Sequence, residues 1–133
     1  MIIKNYINII KNLKSNHLFD PMNILRILGM SIRSKAIVGP LKVTIDITNL
    51  CDMGCTMCWY HSPNLPEKEN KINEFHLEMF AELVKKLKNL HTKTIMLTGE
   101  GEPFTHPNII EMIKIARKNS FDIEIMTNAY YLD

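Results

Sequence analysis

The protein has 133 residues, of which 46% are hydrophobic and 23% charged, as is ordinary for a globular chain. This length allows a single domain with a useful core. The formal net charge of +2 gives no reason to expect nucleic acid as a partner. The sequence has no apolar run of roughly 18 residues, as a membrane-spanning helix requires, and no signal-peptide pattern. We therefore expect a cytoplasmic protein.

The N-terminal part of the chain is basic and predicted to be helical. Residues 1–41 carry most of the excess Lys and Arg, whereas the remainder is net acidic. Apolar residues at helical spacing over 2–14 predict an amphipathic helix, and Asp20-Pro21 predicts the start of a second helix over about 21–35. We interpret 1–41 as an extension that either packs on the rest of the protein or touches an anionic membrane surface peripherally.

Downstream, three strands are predicted to alternate with two helices. The alternation of apolar and polar residues predicts strands over 42–48 and 121–128, and an apolar run predicts another over 93–98. Helical periodicity predicts helices over 74–90 and 106–119. Strands alternating with helices form βα units on a parallel sheet, so the predicted fold class is α/β, with ligands at the carboxyl ends of the strands. In the helix predicted over 106–119, the expected inward residues are Ile109, Ile110, Ile113 and Ala116.

All three cysteines lie together after the first predicted strand, in the stretch CDMGCTMCWY, as Cys51, Cys55 and Cys58. An odd number of clustered cysteines fits a metal in a reducing compartment better than a disulfide framework. Thiolates ligate iron–sulfur clusters, and three of them leave one iron of a 4Fe–4S cube open for another ligand. The alternative is a Cys3His zinc site completed by His61.

The cysteine spacing and two further loops resemble the radical S-adenosylmethionine (SAM) superfamily. TGEGEP follows the second predicted strand and resembles the family's Gly-Gly-Glu-Pro loop. TNAYYLD follows the third and resembles its Thr-Asn-Gly turn, while FTHPN resembles the start of its second helix. The resemblance covers about residues 42–133 and implies a partial (βα) barrel, here with three strands and preceded by two N-terminal helices.

This resemblance implies both the chemistry and the residues of the site. Cys51, Cys55 and Cys58 would ligate a 4Fe–4S cluster whose open iron binds SAM. An electron from the cluster would cleave SAM to methionine and a 5′-deoxyadenosyl radical, which abstracts hydrogen from a substrate. A flavodoxin- or ferredoxin-type electron donor is also implied. The implied SAM-binding residues are Met57, Trp59, Gly99, Glu100, Gly101, Glu102 and Asn128, with Thr127 on the substrate side.

Three positions depart from the family pattern. Met57 stands where the family usually has an aromatic residue near the adenine, and Trp59 could supply that surface instead. Glu100 replaces the first glycine of the Gly-Gly-Glu-Pro loop. Ala129 replaces the glycine after Thr127-Asn128, so the sequence gives no reason to expect a positive φ there.

The family core contains more βα units than this chain has room for. We therefore expect an N-terminal half that is either truncated or split, the second case implying that another chain supplies the missing half. The alternatives to a radical SAM enzyme are a non-catalytic metal-binding module and an inactive fragment. The substrate, whether a small molecule, a peptide or a lipid-like compound, cannot be chosen from these residues.

Overall fold

The computed structural model describes residues 21–31, 38–66 and 71–132. The chain divides into two compact units, residues 1–40 and 41–133. In the first unit, helix α1 spans Pro21–Ser31, inside the range predicted for the second helix. Its Arg26 side chain donates from Nε to the backbone oxygen of Gly39 at 2.9 Å. The helix predicted over 2–14 lies outside the described residues.

The second unit is built on a three-stranded parallel sheet in the order β1-β2-β3. The strands are β1 (Lys42–Asp46), β2 (Thr94–Thr98) and β3 (Asp122–Ile125), and each lies inside its predicted range. The register places Ile45 beside Leu97 and Leu97 beside Ile125, so the alternating apolar side chains share one face. The predicted α/β fold class is confirmed.

Two helices cover this apolar face: α2 (Leu77–Asn89) and α3 (Ile109–Lys118). A short 3-10 turn, Pro103–Thr105, lies between β2 and α3. The helices and strands share one core, and its most fully buried apolar residues are Ile47, Phe80, Val84, Ile95, Leu97, Met112 and Ala116. This core holds the strands in place and so determines where their carboxyl ends lie.

The expected inward face of α3 was wrong at one position. Ile110 is 52% exposed, whereas Met112 is fully buried. Each helical residue is rotated by about 100° from the one before it, so Ile109, Met112 and Ala116 form one stripe that faces the sheet. Ile110 lies beside that stripe and faces solvent.

The opposite face of the sheet is mostly polar, with Met96 at its centre, and is not covered by the described residues. Thr44, Asp46 and Glu124 are exposed there, and Lys42 forms an ion pair with Glu124 across β2. In a closed (βα) barrel the helices form an outer ring and this face points inward. The open parallel sheet with its helices on one face therefore has the arrangement of a partial barrel, as predicted. Within the described ranges, no helix is long and apolar enough to span a membrane.

Candidate cluster and cofactor site

Three loops start at the carboxyl edge of the sheet. We call them the cysteine loop (residues 49–61, after β1), the Gly-Glu-Pro loop (99–103, after β2) and the β3 turn (126–132, after β3). Because the three strands are parallel neighbours, their loops begin at the same edge. The structure thus brings together the three loops that carry the predicted site residues.

Asn49 anchors the start of the cysteine loop, although it was not among the residues predicted from sequence. Its buried side chain accepts from the backbone N–H of Asn73 at 2.8 Å and donates to the backbone oxygen of Lys71 at 2.7 Å. Its Nδ2 also donates to Tyr60 Oη at 3.2 Å. One amide therefore joins both ends of the connection between β1 and α2. The sequence signal that could have identified Asn49 is its position: it is a polar residue just after a strand and two positions before the first cysteine.

The three thiols are free and differ in exposure. Cys55 is exposed, whereas Cys51 and Cys58 are half-buried. The backbone N–H of Cys58 donates to the backbone oxygen of Cys55 at 2.9 Å, which closes a tight turn between these two residues. The donor set therefore consists of three thiols on one short, accessible loop.

The surroundings of Cys58 favour the ionised form of its thiol. Its Sγ accepts from the backbone N–H of His61 at 3.2 Å and from that of Tyr60 at 3.4 Å. These two donors, with His61 contributing more, hold the pKa of the Cys58 thiol below its ordinary value of 9.0. A thiolate, not a thiol, is the form that ligates a metal, so the backbone favours the ligating form of Cys58.

The described residues place no three His, Cys, Asp or Glu side chains in position to hold a single metal ion. The His61 ring instead lies with Nε2 2.9 Å from the backbone oxygen of Asn49, which can only accept a hydrogen bond. A Cys3His zinc site would require four donors to converge on one atom. In a 4Fe–4S cube each thiolate ligates a different iron, so three separated thiols on one loop suit a cluster better.

Gly99 and Gly101 allow the Gly-Glu-Pro loop to pack against the cysteine loop and the residue that precedes it. A Cβ on Gly99 would lie 2.2 Å from the backbone oxygen of Thr48, and one on Gly101 would lie 1.8 Å from that of Leu50. The Gly101 N–H donates to the Thr48 oxygen at 3.1 Å. In this structure the two glycines therefore allow close packing against the backbone of Thr48 and Leu50. Their contact with SAM stays a prediction.

Leu50 is joined by one hydrogen bond each to the Gly-Glu-Pro loop and to the 3-10 turn that follows it. Its backbone oxygen accepts from the Glu102 N–H at 2.7 Å and from Thr105 Oγ1 at 3.0 Å. These bonds lie immediately before Cys51 in the chain. The first cysteine is thus carried by a segment that is hydrogen-bonded to the loop after β2.

Glu102 joins the loop after β2 to the turn after β3. The residue is only 3% exposed, and its Oε1 accepts from Thr127 Oγ1 at 2.7 Å and from the Phe104 N–H at 3.1 Å. Its Oε2 accepts from the Asn128 N–H at 2.7 Å. A buried carboxylate satisfied by three donors is a strong structural tie.

The β3 turn keeps a left-handed residue although it lacks the family's glycine. Ala129 has φ 66°, and its N–H donates to Thr127 Oγ1 at 2.9 Å. The N–H of Tyr130 donates to Asn128 Oδ1 at 3.0 Å. These two bonds hold Ala129 in a conformation that an L residue with a Cβ adopts only at a cost.

Met57 and Trp59 present apolar surface on the cysteine loop. Met57 is 93% exposed and Trp59 67% exposed. The Trp59 ring meets Tyr60 edge-on with ring centroids 5.5 Å apart, and Tyr60 meets His61 in the same way at 4.9 Å. Trp59, Tyr60 and His61 therefore form consecutive ring contacts, and Asn49 fixes Tyr60 by a hydrogen bond.

Glu100 is exposed and lies at the rim of a pocket of about 390 Å³. The same pocket is bordered by Asp46, Glu74 and His76. This concave region at the end of β1 and β2 is acidic, which suits a ligand that carries a cationic amine. The structure thus gives Glu100 a position, which the sequence alone did not.

A parallel sheet with helices on one face, and with a three-thiol loop, a glycine-rich acidic loop and a polar turn at one edge, places this chain in the partial-barrel class of α/β proteins. The family model described as the Radical SAM superfamily matches residues 45–133. The chain belongs to the radical SAM superfamily, and the resemblance drawn from its motifs is confirmed.

The chain is also similar to several curated proteins, over their shared portion only. It is 26% identical over 89 residues to the tungsten-containing aldehyde ferredoxin oxidoreductase cofactor-modifying protein of Pyrococcus furiosus, covering 66% of this chain and 24% of that protein. It is 23% identical over 94 residues to the PqqA peptide cyclase of Gluconobacter oxydans, covering 71% and 25%. It is 29% identical over 98 residues to the 7,8-dihydro-6-hydroxymethylpterin dimethyltransferase of Methanocaldococcus jannaschii, covering 69% and 18%. The chain thus spans a quarter or less of the length of these relatives.

Proposed function

We propose that this chain supplies the cluster-binding part of a radical SAM enzyme. In this proposal Cys51, Cys55 and Cys58 ligate a 4Fe–4S cluster, and the loops after β2 and β3 contact SAM. The observation that carries the proposal is the three-thiol loop, with the Cys58 thiol pKa lowered by two backbone donors, at the edge where both other loops begin. A bound cluster with SAM would supply one-electron cleavage of the sulfonium and a 5′-deoxyadenosyl radical.

The chain's own residues position and charge this site. Both oxygens of Glu102 already accept hydrogen bonds from the chain, so its first role is to join the loop after β2 to the turn after β3. The exposed carboxylate of Glu100 is the group on the same loop that complements the cationic amine of SAM. Met57 and Trp59 offer apolar surface to the adenine, Asn128 contacts SAM, and Thr127 borders the substrate side. These contacts are proposals from the motif positions and the exposure of each side chain.

Cluster binding is tested by anaerobic reconstitution with iron and sulfide. We expect the protein to take up a 4Fe–4S cluster and its reduced electron paramagnetic resonance spectrum to change when SAM is added. Cys55→Ala removes one ligand, and we expect it to lose cluster iron and sulfide. Thr56→Ala alters the adjacent side chain in the same loop without removing a ligand, and we expect it to keep both. Stoichiometric zinc without a cluster in the unsubstituted protein would overturn the proposal in favour of the metal-binding module.

The reaction of the whole enzyme is proposed only in outline. We propose hydrogen abstraction from an organic substrate, with an electron donor of flavodoxin or ferredoxin type and a cytoplasmic location. The relatives' names refer to a peptide, a pterin and a tungsten enzyme's cofactor. What they support together is the family, whereas the substrate class, small molecule, peptide or lipid-like compound, stays open. Completion of the site by another chain and peripheral membrane contact by residues 2–14 remain predictions.

A further inference from the structure

One hydrogen bond connects the cysteine loop directly to the β3 turn. Asn128 Nδ2 donates to Asp52 Oδ1 at 3.0 Å, between residues 76 positions apart in the chain. Asp52 follows the first cysteine, and Cys51 Sγ lies 4.0 Å from the same Asp52 Oδ1. The contact therefore lies immediately beside the first of the three thiols.

Asn128, on the β3 turn, is held by two further hydrogen bonds. Its backbone N–H donates to Glu102 Oε2 at 2.7 Å, and its Oδ1 accepts from the Tyr130 N–H at 3.0 Å. With Oδ1 engaged, the amide is oriented so that Nδ2 is the donor available to the cysteine loop. The donor is thus anchored to the loops after both β2 and β3.

The Asp52 side lies in an exposed part of the cysteine loop. Residues 52–57 are all exposed, whereas the bonds to the Gly-Glu-Pro loop reach only as far as Leu50. The hydrogen bond from Asn128 to Asp52 therefore holds a part of the cysteine loop that the bonds to Leu50 do not reach. It also keeps one carboxylate charge beside Cys51.

We propose that Asp52 and Asn128 form a latch that fixes the part of the cysteine loop beside Cys51 and holds a negative charge next to that cluster ligand. The charge part of this proposal rests on the proposed cluster. A negative charge near an iron–sulfur cluster opposes the addition of an electron, so it lowers the reduction potential. Asp52 is in this sense a positioning and tuning residue, not a ligand.

The latch is tested first in metal-free protein, by hydrogen exchange of the amides in residues 51–58. Asn128→Asp places two carboxylates together and keeps an Oδ1 that can accept from the Tyr130 N–H. We expect amide exchange to become about fivefold faster, which corresponds to the loss of one ordinary hydrogen bond. Asp52→Asn combined with Asn128→Asp restores a donor–acceptor pair, and we expect exchange near the original rate. Glu82→Gln, an exposed carboxylate on α2, is the charge control and should leave exchange unchanged. Equal rates in all four proteins would overturn the latch.

The charge part is tested by the midpoint potential of the reconstituted cluster. Asp52→Asn keeps an oxygen that can accept from Asn128 but removes the charge, and we expect a shift to a less negative potential. Glu82→Gln removes the same charge at a distance and should give no shift. An unchanged potential in Asp52→Asn overturns the charge effect. If the unsubstituted protein assembles no cluster, the proposed function fails, while the exchange measurements still decide the latch.

Discussion

The carboxylate of Glu102 accepts a hydrogen bond from the backbone N–H of Asn128 at 2.7 Å. The two residues lie on the loops after neighbouring strands, 26 positions apart in the chain. With the bond from Thr127 Oγ1 to the other oxygen, this contact makes a buried carboxylate the junction between the Gly-Glu-Pro loop and the β3 turn. The loops that would surround a cofactor are thus joined by the chain itself.

Replacing Glu102 with Gln should destabilise the fold. One carboxylate oxygen becomes an NH2 group that faces a donor, so a buried hydrogen bond is lost at a cost of about 1–3 kcal/mol in the free energy of unfolding. Urea unfolding followed by circular dichroism measures this change. Glu100→Gln alters an exposed acid on the same loop and should remain within about 0.5 kcal/mol. Equal unfolding midpoints for the two variants would refute the structural role of Glu102.

Replacing Gly101 with Ala should displace the cysteine loop. The added Cβ would lie 1.8 Å from the backbone oxygen of Leu50, so the backbone has to move. We expect this to lower the free energy of unfolding by about 1–3 kcal/mol. We also expect reduced iron uptake, measured after reconstitution, because Leu50 precedes the first cysteine. Gly54→Ala is the matched control, since its nearest heavy atom would be at an ordinary 3.7 Å. Similar stability and iron content in the two variants would contradict the close approach.

Replacing Ala129 with Gly should stabilise the protein. Removing the Cβ at φ 66° relieves about 1–2 kcal/mol of strain. The unfolded chain of the glycine variant is more flexible, which costs about 0.4–1 kcal/mol, so the free energy of unfolding should rise by up to about 1.6 kcal/mol. Ala81→Gly, inside helix α2, should have the opposite sign and cost about 1 kcal/mol. A loss of stability in Ala129→Gly would show that the turn is not left-handed.

Cys58 should react with iodoacetamide at a lower pH than an ordinary thiol. The backbone N–H groups of His61 and Tyr60 stabilise its thiolate, which lowers the pKa in the folded state. The rate of alkylation, followed at Cys58 by peptide mapping, should therefore rise at lower pH in folded protein than in the same protein in urea. The corresponding contribution to stability is complete above the unfolded pKa and disappears as the pH falls through the lowered folded pKa. Coincident pH profiles in the two states would exclude the effect.

Much of the fold was readable from local pattern. The strands and helices of the second unit lie inside their predicted ranges, because period-2 and helical spacing of apolar residues are properties of short segments. Ile110 shows the limit of that method, since a run of apolar residues does not say which of two neighbours faces the sheet. The left-handed Ala129 shows another limit, because nearby hydrogen bonds hold a conformation that its residue type disfavours.

The sequence by itself determined the family, the cysteine spacing and the two loops that accompany it, since these are patterns of residues close together in the chain. Only the tertiary structure decided that Glu102 faces Asn128, that Asn49 closes the connection after β1 and that Asp52 meets Asn128. The physical reason is that each of these contacts joins loops far apart in sequence. Their meeting depends on the parallel register of the strands and on the core that holds them, not on local propensity.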